Sequence, residues 1–272
     1  MLTRLPLVRA KVSSFTTLEW VMLASLGAYF FVYPFAAFLL SFDLMPFGME
    51  WMSSLLLFVL GTACGAWMWL NFGRPGLLLS AAILILGLAV EYLGVRTGFP
   101  FGPYRYTGVL APSIAGGVPV AIGFAWLLIV VSSLFSSKQF FPSGRLPISG
   151  LLALSLLSAL LAVGLDALLE PVAYHVKGYW VWLSGSNGYY GVPTSNFIAW
   201  FLVAFLLCAL VAHLLPSPVL MRWGWVPAAL YSLNVGMFGL VNLSHGFWIP
   251  PLIGLLLLLL FAYRSRRLVA QR

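Results

Sequence analysis

LLLSAAILILGLAVEYLGVRTGFPFGPYRY, residues 77–106, decides the fold. Residues 77–90 carry no charge, and the run ends in a carboxylate, Glu91. Gly98, Pro100, Gly102 and Pro103 follow, set among Arg96, Arg105, Tyr104 and Tyr106. The first part reads as a membrane helix, which needs about 20 apolar residues. The second part reads as irregular backbone fixed by Gly and Pro. At membrane depth such backbone is tolerated only where protein buries it or it lines a cavity. The alternative is an interfacial loop with aromatic anchors.

The rest of the chain agrees with a membrane setting. Of 272 residues, 62% are hydrophobic and 7% charged, against about 45–50% and 25% in soluble domains. A soluble fold would lack the polar residues to cover its surface. The class is therefore an all-α polytopic membrane protein, expected as a single transmembrane domain over residues 1–272. Candidate spans lie near 18–40, 52–70, 77–95, 115–136, 148–170, 196–215, 226–243 and 247–263, roughly eight by window length. The run at 18–40 is too long for a signal-peptide core and reads as a retained first span. Cys64 and Cys208 both fall inside apolar runs and suggest neither a disulfide frame nor a metal cluster.

Lys and Arg set the orientation. Arg4, Arg9, Lys11, Arg74, Lys138, Arg145, Arg222, Arg264, Arg266, Arg267 and Arg272 fall on one side of the eight-span arrangement. Arg96, Arg105 and Lys177 fall on the other. Both termini are expected in the cytoplasm of a bacterial-type inner membrane, and the 92–114 and 174–195 loops outside. The net charge of +8 sits mostly on the cytoplasmic side, so nucleic acid is not its natural partner.

The two outer loops end alike. Gly117-Val118-Pro119 is followed by Ala125-Trp126, and Gly191-Val192-Pro193 by Ala199-Trp200, at identical spacing. A carboxylate precedes each Gly-Val-Pro by nearly the same distance, Glu91 in one copy and Asp166 in the other. The pattern suggests a duplicated helix–loop–helix, 77–136 and 148–215, running in the same direction; chance similarity is the alternative. Membrane proteins often place sites between such repeats.

Only six residues are acidic. Glu19, Asp43 and Glu50 lie at span edges or in a short loop and are expected to be solvated. Glu91 lies about 21 Å into its helix and Asp166 about 27 Å into its own, inside the outer boundary of a core about 30 Å thick. Glu170 stands one turn beyond Asp166, on the same helix face. Intramembrane carboxyls need a partner, water or a proton, and they mark function by default. The alternative is a structural network with Arg96, Arg105, Lys177, Asn196 or His175. Tyr104, Tyr106, Tyr189 and Tyr190 are clustered enough to suggest cavity lining. Asn234, Asn242, His213 and His245 read as packing or interfacial groups.

No Gly-x-Gly-x-x-Gly or P-loop supports a nucleotide cofactor. Three histidines without His-x-x-x-His spacing weigh against a di-iron oxygenase, and Asp166-x-x-x-Glu170 is at most half of a prenyltransferase aspartate cluster. Carboxyl acid–base chemistry in an aromatic, lipid-facing cavity remains. Protonating an alkene gives a carbocation, which aromatic faces stabilise and water captures. The substrate suited to such a site is a lipophilic polyene.

Glu91-Tyr92-x-Gly94 leading into Gly98-x-Pro100-Phe101-Gly102-x-Tyr104-x-Tyr106, then Gly117-Val118-Pro119 and Trp126, resembles the CruF-type carotenoid hydratases. Asp166-x-x-x-Glu170-Pro171, Gly178-Tyr179-Trp180-x-Trp182 and Tyr189-Tyr190-Gly191-Val192-Pro193-x-x-Asn196-Phe197 continue the likeness, which covers roughly 80–215. The resemblance implies a cofactor-independent enzyme that adds water across the terminal 1,2 double bond of an acyclic carotenoid end. Its partners would be the carotenoid, membrane lipid and other carotenoid-pathway enzymes. The residues themselves suggest Asp166 as acid, Glu91 as holder of the water and Glu170 as the group that orients the pair. Tyr92, Arg96, Tyr104, Tyr106, Trp180, Tyr189, Tyr190, Asn196 and Trp200 are expected to bind substrate, with no metal. Another isoprenoid enzyme, prenyltransferase-like, and a proton or lipid carrier remain open alternatives.

Overall fold

The structure, a computed structural model, describes residues 15–142, 144–184, 188–215 and 221–270; of residues 115 and 265–270 it describes the backbone alone. Arg4, Arg9, Lys11 and Arg272, which entered the charge asymmetry, lie outside the described residues. The chain is mostly helical. Its helices are α1 (Thr17–Ser41), α2 (Trp51–Thr97), α3 (Val120–Lys138), α4 (Ile148–Pro171), α5 (Thr194–Leu214), α6 (Val226–Ser244) and α7 (Ile249–Ala270). Among the described residues six helices are long and apolar enough to cross a membrane, and Ile249–Arg264 is a shorter apolar one. Large side chains such as Phe31, Leu78 and Leu206 are exposed on helix flanks, as expected where lipid rather than water is the solvent.

The windows near 52–70 and 77–95 both fall in α2, which is not one rod. Gly73 has φ 61° and ψ −142°, outside any helix, and Pro75 follows. The chain turns back there so sharply that a Cβ on Gly76 would overlap the Met68 carbonyl. The two arms, residues 51–72 and 74–97, run side by side. Thr62 and Leu84 line one shared crevice with Trp69 and Leu77.

Helix α3 is the most enclosed of the spanning helices. It packs on the second arm of α2 at close range. A Cβ on Gly87 would stand 2.7 Å from the Trp126 ring, and one on Gly123 2.9 Å from Leu84 and Leu88. Small residues at helix interfaces allow this approach. The window begun at 115 starts instead with a 3₁₀ turn, Ala115–Gly117, because Pro119 caps the helix proper.

Past Pro171, α4 continues as a π-helical turn, Val172–Val176. Two short strands then close one end of the bundle, β1 (Tyr104–Tyr106) and β2 (Trp180–Trp182). They pair antiparallel, with Tyr104 opposite Trp182, Arg105 opposite Val181 and Tyr106 opposite Trp180. Alternate residues of a strand share a face. Arg105 is accordingly exposed, while Tyr104, Tyr106, Trp180 and Trp182 turn inward together.

Glu19 departs from the sequence expectation. It is fully buried rather than solvated. Arg222 pairs with it at 2.6 Å and the Trp223 indole donates to it at 3.1 Å, both from a loop some two hundred residues on. Asp43 and Glu50 are exposed as expected.

Candidate active site

Glu91 sits near the end of the second arm of α2, buried among three donors. The Tyr104 hydroxyl donates to Oε2 at 2.5 Å and the Tyr106 hydroxyl to the same oxygen at 2.7 Å. The Trp126 indole donates to Oε1 at 3.1 Å. Strand periodicity explains the first two: residues 104 and 106 share a face, so both phenols reach one carboxyl. Gly94, one turn beyond Glu91, leaves the room they need; a Cβ there would lie 2.9 Å from the Tyr104 hydroxyl. Burial, then the adjacent Glu91 charge, push both phenols above the ordinary tyrosine range, so they stay protonated donors.

Glu170 is held in a parallel way by the other strand. The Trp180 indole donates to its Oε2 at 3.1 Å. The Trp182 indole N–H is buried beside this group with no hydrogen-bond partner among the described residues. Asn196 of α5 completes the set. Its Nδ2 lies 3.0 Å from Glu170 Oε1 and 3.0 Å from Asp166 Oδ2, bridging two carboxyls one helical turn apart. Asp166 is fully buried, and its Oδ1 has no hydrogen-bond partner among the described residues.

A cavity of ≈ 460 Å³ lies between these groups. Glu91 and Glu170 both face it, with Phe101, Trp126 and Trp200 among its aromatic walls. The Trp126 and Trp200 rings stack at 4.5 Å. Asp166 does not line the cavity; it stands behind Glu170, reached through Asn196. Among the described residues no cation forms an ion pair with any of the three carboxyls. Among the described residues no three His, Cys, Asp or Glu side chains converge as a metal site.

The residues singled out in the sequence divide accordingly. Glu91, Glu170, Tyr104, Tyr106, Trp180, Asn196 and Trp200 come together around the cavity. Tyr92 and Arg96 do not. Arg96 lies five residues from Glu91, about 140° around the helix, and its guanidinium sits 6.0 Å from the Tyr92 ring. Glu91 is held instead by the two phenols and the indole. Tyr189 and Tyr190 also lie away from the cavity. The Tyr189 hydroxyl donates to the Ala167 carbonyl at 3.0 Å, and the Tyr190 hydroxyl accepts from the Ile249 amide at 3.2 Å. These two rings tie the 188–193 loop to α4 and α7.

Trp126 and Trp182 escaped the list of binding residues. The signal for Trp126 was in the sequence, since it occupies the position of Trp200 after its own Gly-Val-Pro. Trp182 was marked by strand alternation with Trp180.

The family model for carotenoid biosynthesis proteins matches residues 52–261. Bisanhydrobacterioruberin hydratase of Haloarcula japonica is 29% identical over 185 residues. That alignment covers 65% of this chain and 59% of the relative, so the chain spans less than two thirds of that protein's length. No solved structure matches the chain. The family match runs from the start of α2 into α7 and takes in every carboxyl and aromatic group around the cavity, and the chain belongs to the carotenoid biosynthesis protein family.

Proposed function

We propose that the protein is a hydratase that adds water across the terminal 1,2 double bond of an acyclic carotenoid end of the lycopene or γ-carotene type, giving a tertiary 1-hydroxyl. The observation that supports this reading is the cavity itself. Two carboxyls, Glu91 and Glu170, face one space from different helices, each gripped by aromatic donors and walled by indoles. The relative's name, a hydratase, points the same way.

The reaction divides between the carboxyls by their surroundings. Glu91 receives three hydrogen bonds and donates none among the described residues, which suits a carboxylate. Asp166 and Glu170 crowd one amide nitrogen, and like charges so close share a proton instead of both ionising. Glu170, which faces the cavity, passes that proton to carbon 2. The cation at carbon 1 lies against the faces of Trp126, Trp200 and Trp180. Water bonds to carbon 1 and loses its proton to Glu91. That proton returns across the cavity to the Asp166–Glu170 pair before the next turnover. Asp166 acts through Glu170 and not on the substrate. The protein's own side chains carry every step, with no cofactor.

The setting follows from the helices. The two arms of α2 count as separate spans, which brings the total with α7 to eight in a single transmembrane domain. An even count places both termini on one side, the cytoplasmic one by the Lys and Arg distribution. The substrate reaches the cavity from the lipid phase, handed on by other enzymes of the same pathway. The helix–strand–helix units around Glu91 and Glu170 are copies of one another, related by an axis through the paired strands.

Expression in a host that supplies lycopene or γ-carotene tests the reading. The expected pigment is a 1-hydroxylated derivative that takes its oxygen from heavy-oxygen water. Label arriving from molecular oxygen, or an unchanged pigment with the protein present in the membrane, would refute it.

A further inference from the structure

A second cavity, of ≈ 780 Å³, opens beside the first and shares Ile122, Ala125, Leu169 and Trp180 with it. It runs between α1, the first arm of α2 and α6, and Leu56 and Met237 line it from different helices. The walls are mostly apolar, with Ser53, Lys177, Tyr179 and Asn234 among their polar members. Another is Tyr29, which is 1% exposed and whose hydroxyl has no hydrogen-bond partner among the described residues. The neighbouring Tyr33, by contrast, spends its hydroxyl on the Leu233 carbonyl at 2.9 Å. A buried hydroxyl beside an apolar space, with nothing to bond, marks where a ligand would bring an oxygen.

We propose that this second cavity is the binding site for the polyene chain beyond the reacting end, with Tyr29 donating a hydrogen bond to an oxygen substituent on that chain. The inference rests on the hydratase reading for the identity of the ligand, but not for its shape. A reacting end at Glu170 has its continuation open on the side of Ile122, Ala125 and Leu169, and a long apolar chain is what a continuous apolar passage admits. The first cavity alone would accept a short terminal alkene equally well. The second selects for the length of the molecule, and Tyr29 selects for its far decoration. Binding energy gathered at a distance from the reacting bond is the usual source of such selectivity.

Leu56→Trp and Met237→Trp each fill the second cavity from a different wall and touch no catalytic group. For a full-length acyclic polyene, both should raise KM by about tenfold or more, while kcat/KM on a ten-carbon acyclic isoprenoid with the same end group stays within about twofold. An unchanged polyene KM in both variants overturns the proposal, and so does an equal loss on both substrates. Tyr29→Phe should weaken binding of a polyene that carries a distal hydroxyl and leave the matched hydrocarbon unaffected. Equal affinities for the pair remove the role of Tyr29. Polyene binding to Glu170→Gln, read from the absorption shift of the bound pigment without turnover, separates this proposal from the reaction. If the plugs abolish binding but no hydration is ever seen, the cavity assignment stands and the hydratase reading fails.

Discussion

The indoles of Trp126 and Trp200 stack face to face, with centroids 4.5 Å apart and an interplanar angle of 24°. Each stands at the same place after a Gly-Val-Pro, one at the start of α3 and one at the start of α5. Under the proposed duplication, equivalent residues of the two copies meet each other only close to the axis that relates the copies. The paired strands repeat the relation, since Arg105 lies opposite Val181 at the centre of both. The two tryptophans differ in their polar edges. Trp126 donates to Glu91 at 3.1 Å, so Trp126→Phe keeps a ring in the stack and removes that bond. Hydrogen bonds to charged groups contribute about 1.5–3 kcal/mol, which corresponds to a loss of about ten- to a hundredfold in kcat. Trp200→Phe should lose only about threefold on the same scale. Side-by-side kinetics of the two variants, at matched protein levels, check the difference.

The carboxyls form a graded series. General acid–base groups typically contribute about 10²–10⁴-fold. Glu91→Gln and Glu170→Gln should therefore each lose at least about a hundredfold in product while the protein still accumulates in the membrane. Asp166→Asn should lose less, about tenfold, because it acts through Glu170. Its pH–rate profile should also differ from that of the parent, which a purely structural loss would not cause. A loss in Asp166→Asn greater than in Glu170→Gln would return the acid role to Asp166.

Much of this arrangement was legible in the sequence. Apolar run lengths gave the helices, and carboxyls inside apolar runs pointed to Glu91 and Glu170, which face one cavity. What escaped has physical causes. Spacing alone matched Glu91 to Asp166, because both stand nearly the same distance before a Gly-Val-Pro. In three dimensions each strand grips the carboxyl its aromatics can reach, and that is Glu170 in the second copy. Glu170 stands 10 residues before its strand and Glu91 13 before its own, so equal spacing to the Gly-Val-Pro selects a different residue. Asp166 stands four residues before Glu170, and the residue four before Glu91 is Gly87. Glycine is needed there because the Trp126 ring presses against it. Glu19 was misread for another reason. Its partners Arg222 and Trp223 arrive from a distant loop, and no local pattern announces them.

Gly94 offers a test that substitutes no functional side chain. A Cβ there would stand 2.8 Å from the Phe101 ring and 2.9 Å from the Tyr104 hydroxyl. Real Cβ atoms do not approach so closely, and strain of this kind costs about 1–3 kcal/mol. Gly94→Ala should displace Tyr104 from Glu91 and lower kcat by about tenfold. Tyr104→Phe should reproduce most of that loss. The double variant Gly94→Ala, Tyr104→Phe should then be little worse than either alone, because both act on one contact. Additive losses would show that Gly94 serves packing only.

The phenols also predict a pH response. Tyr104 and Tyr106 act as O–H donors, the protonated form, and both are held above the usual tyrosine value. A raised value keeps the donor form intact through the ordinary range and defers its loss to higher pH. Activity should accordingly show no alkaline fall from these groups below about pH 10, the free tyrosine value. A fall between about pH 8 and 10 that disappears in Tyr106→Phe would contradict this.

The orientation of the site is open to direct chemical measurement. Ser113 and Ser184 are exposed on the two loops that carry the strands. The native thiols, Cys64 and Cys208, are both buried. Single Ser113→Cys and Ser184→Cys variants therefore give one reactive thiol each toward a membrane-impermeant maleimide. With the N-terminus cytoplasmic, three crossings precede the first loop and five precede the second, an odd number each time, so both loops lie on the outer side and both thiols should label in intact cells. Thr107 and Gly178 join the same two loops through a hydrogen bond of 2.5 Å, so the two positions must give the same answer. Labelling only after the inner face is exposed would invert the topology. Labelling of one position from each side would break the pairing of the two loops on which the whole cavity depends.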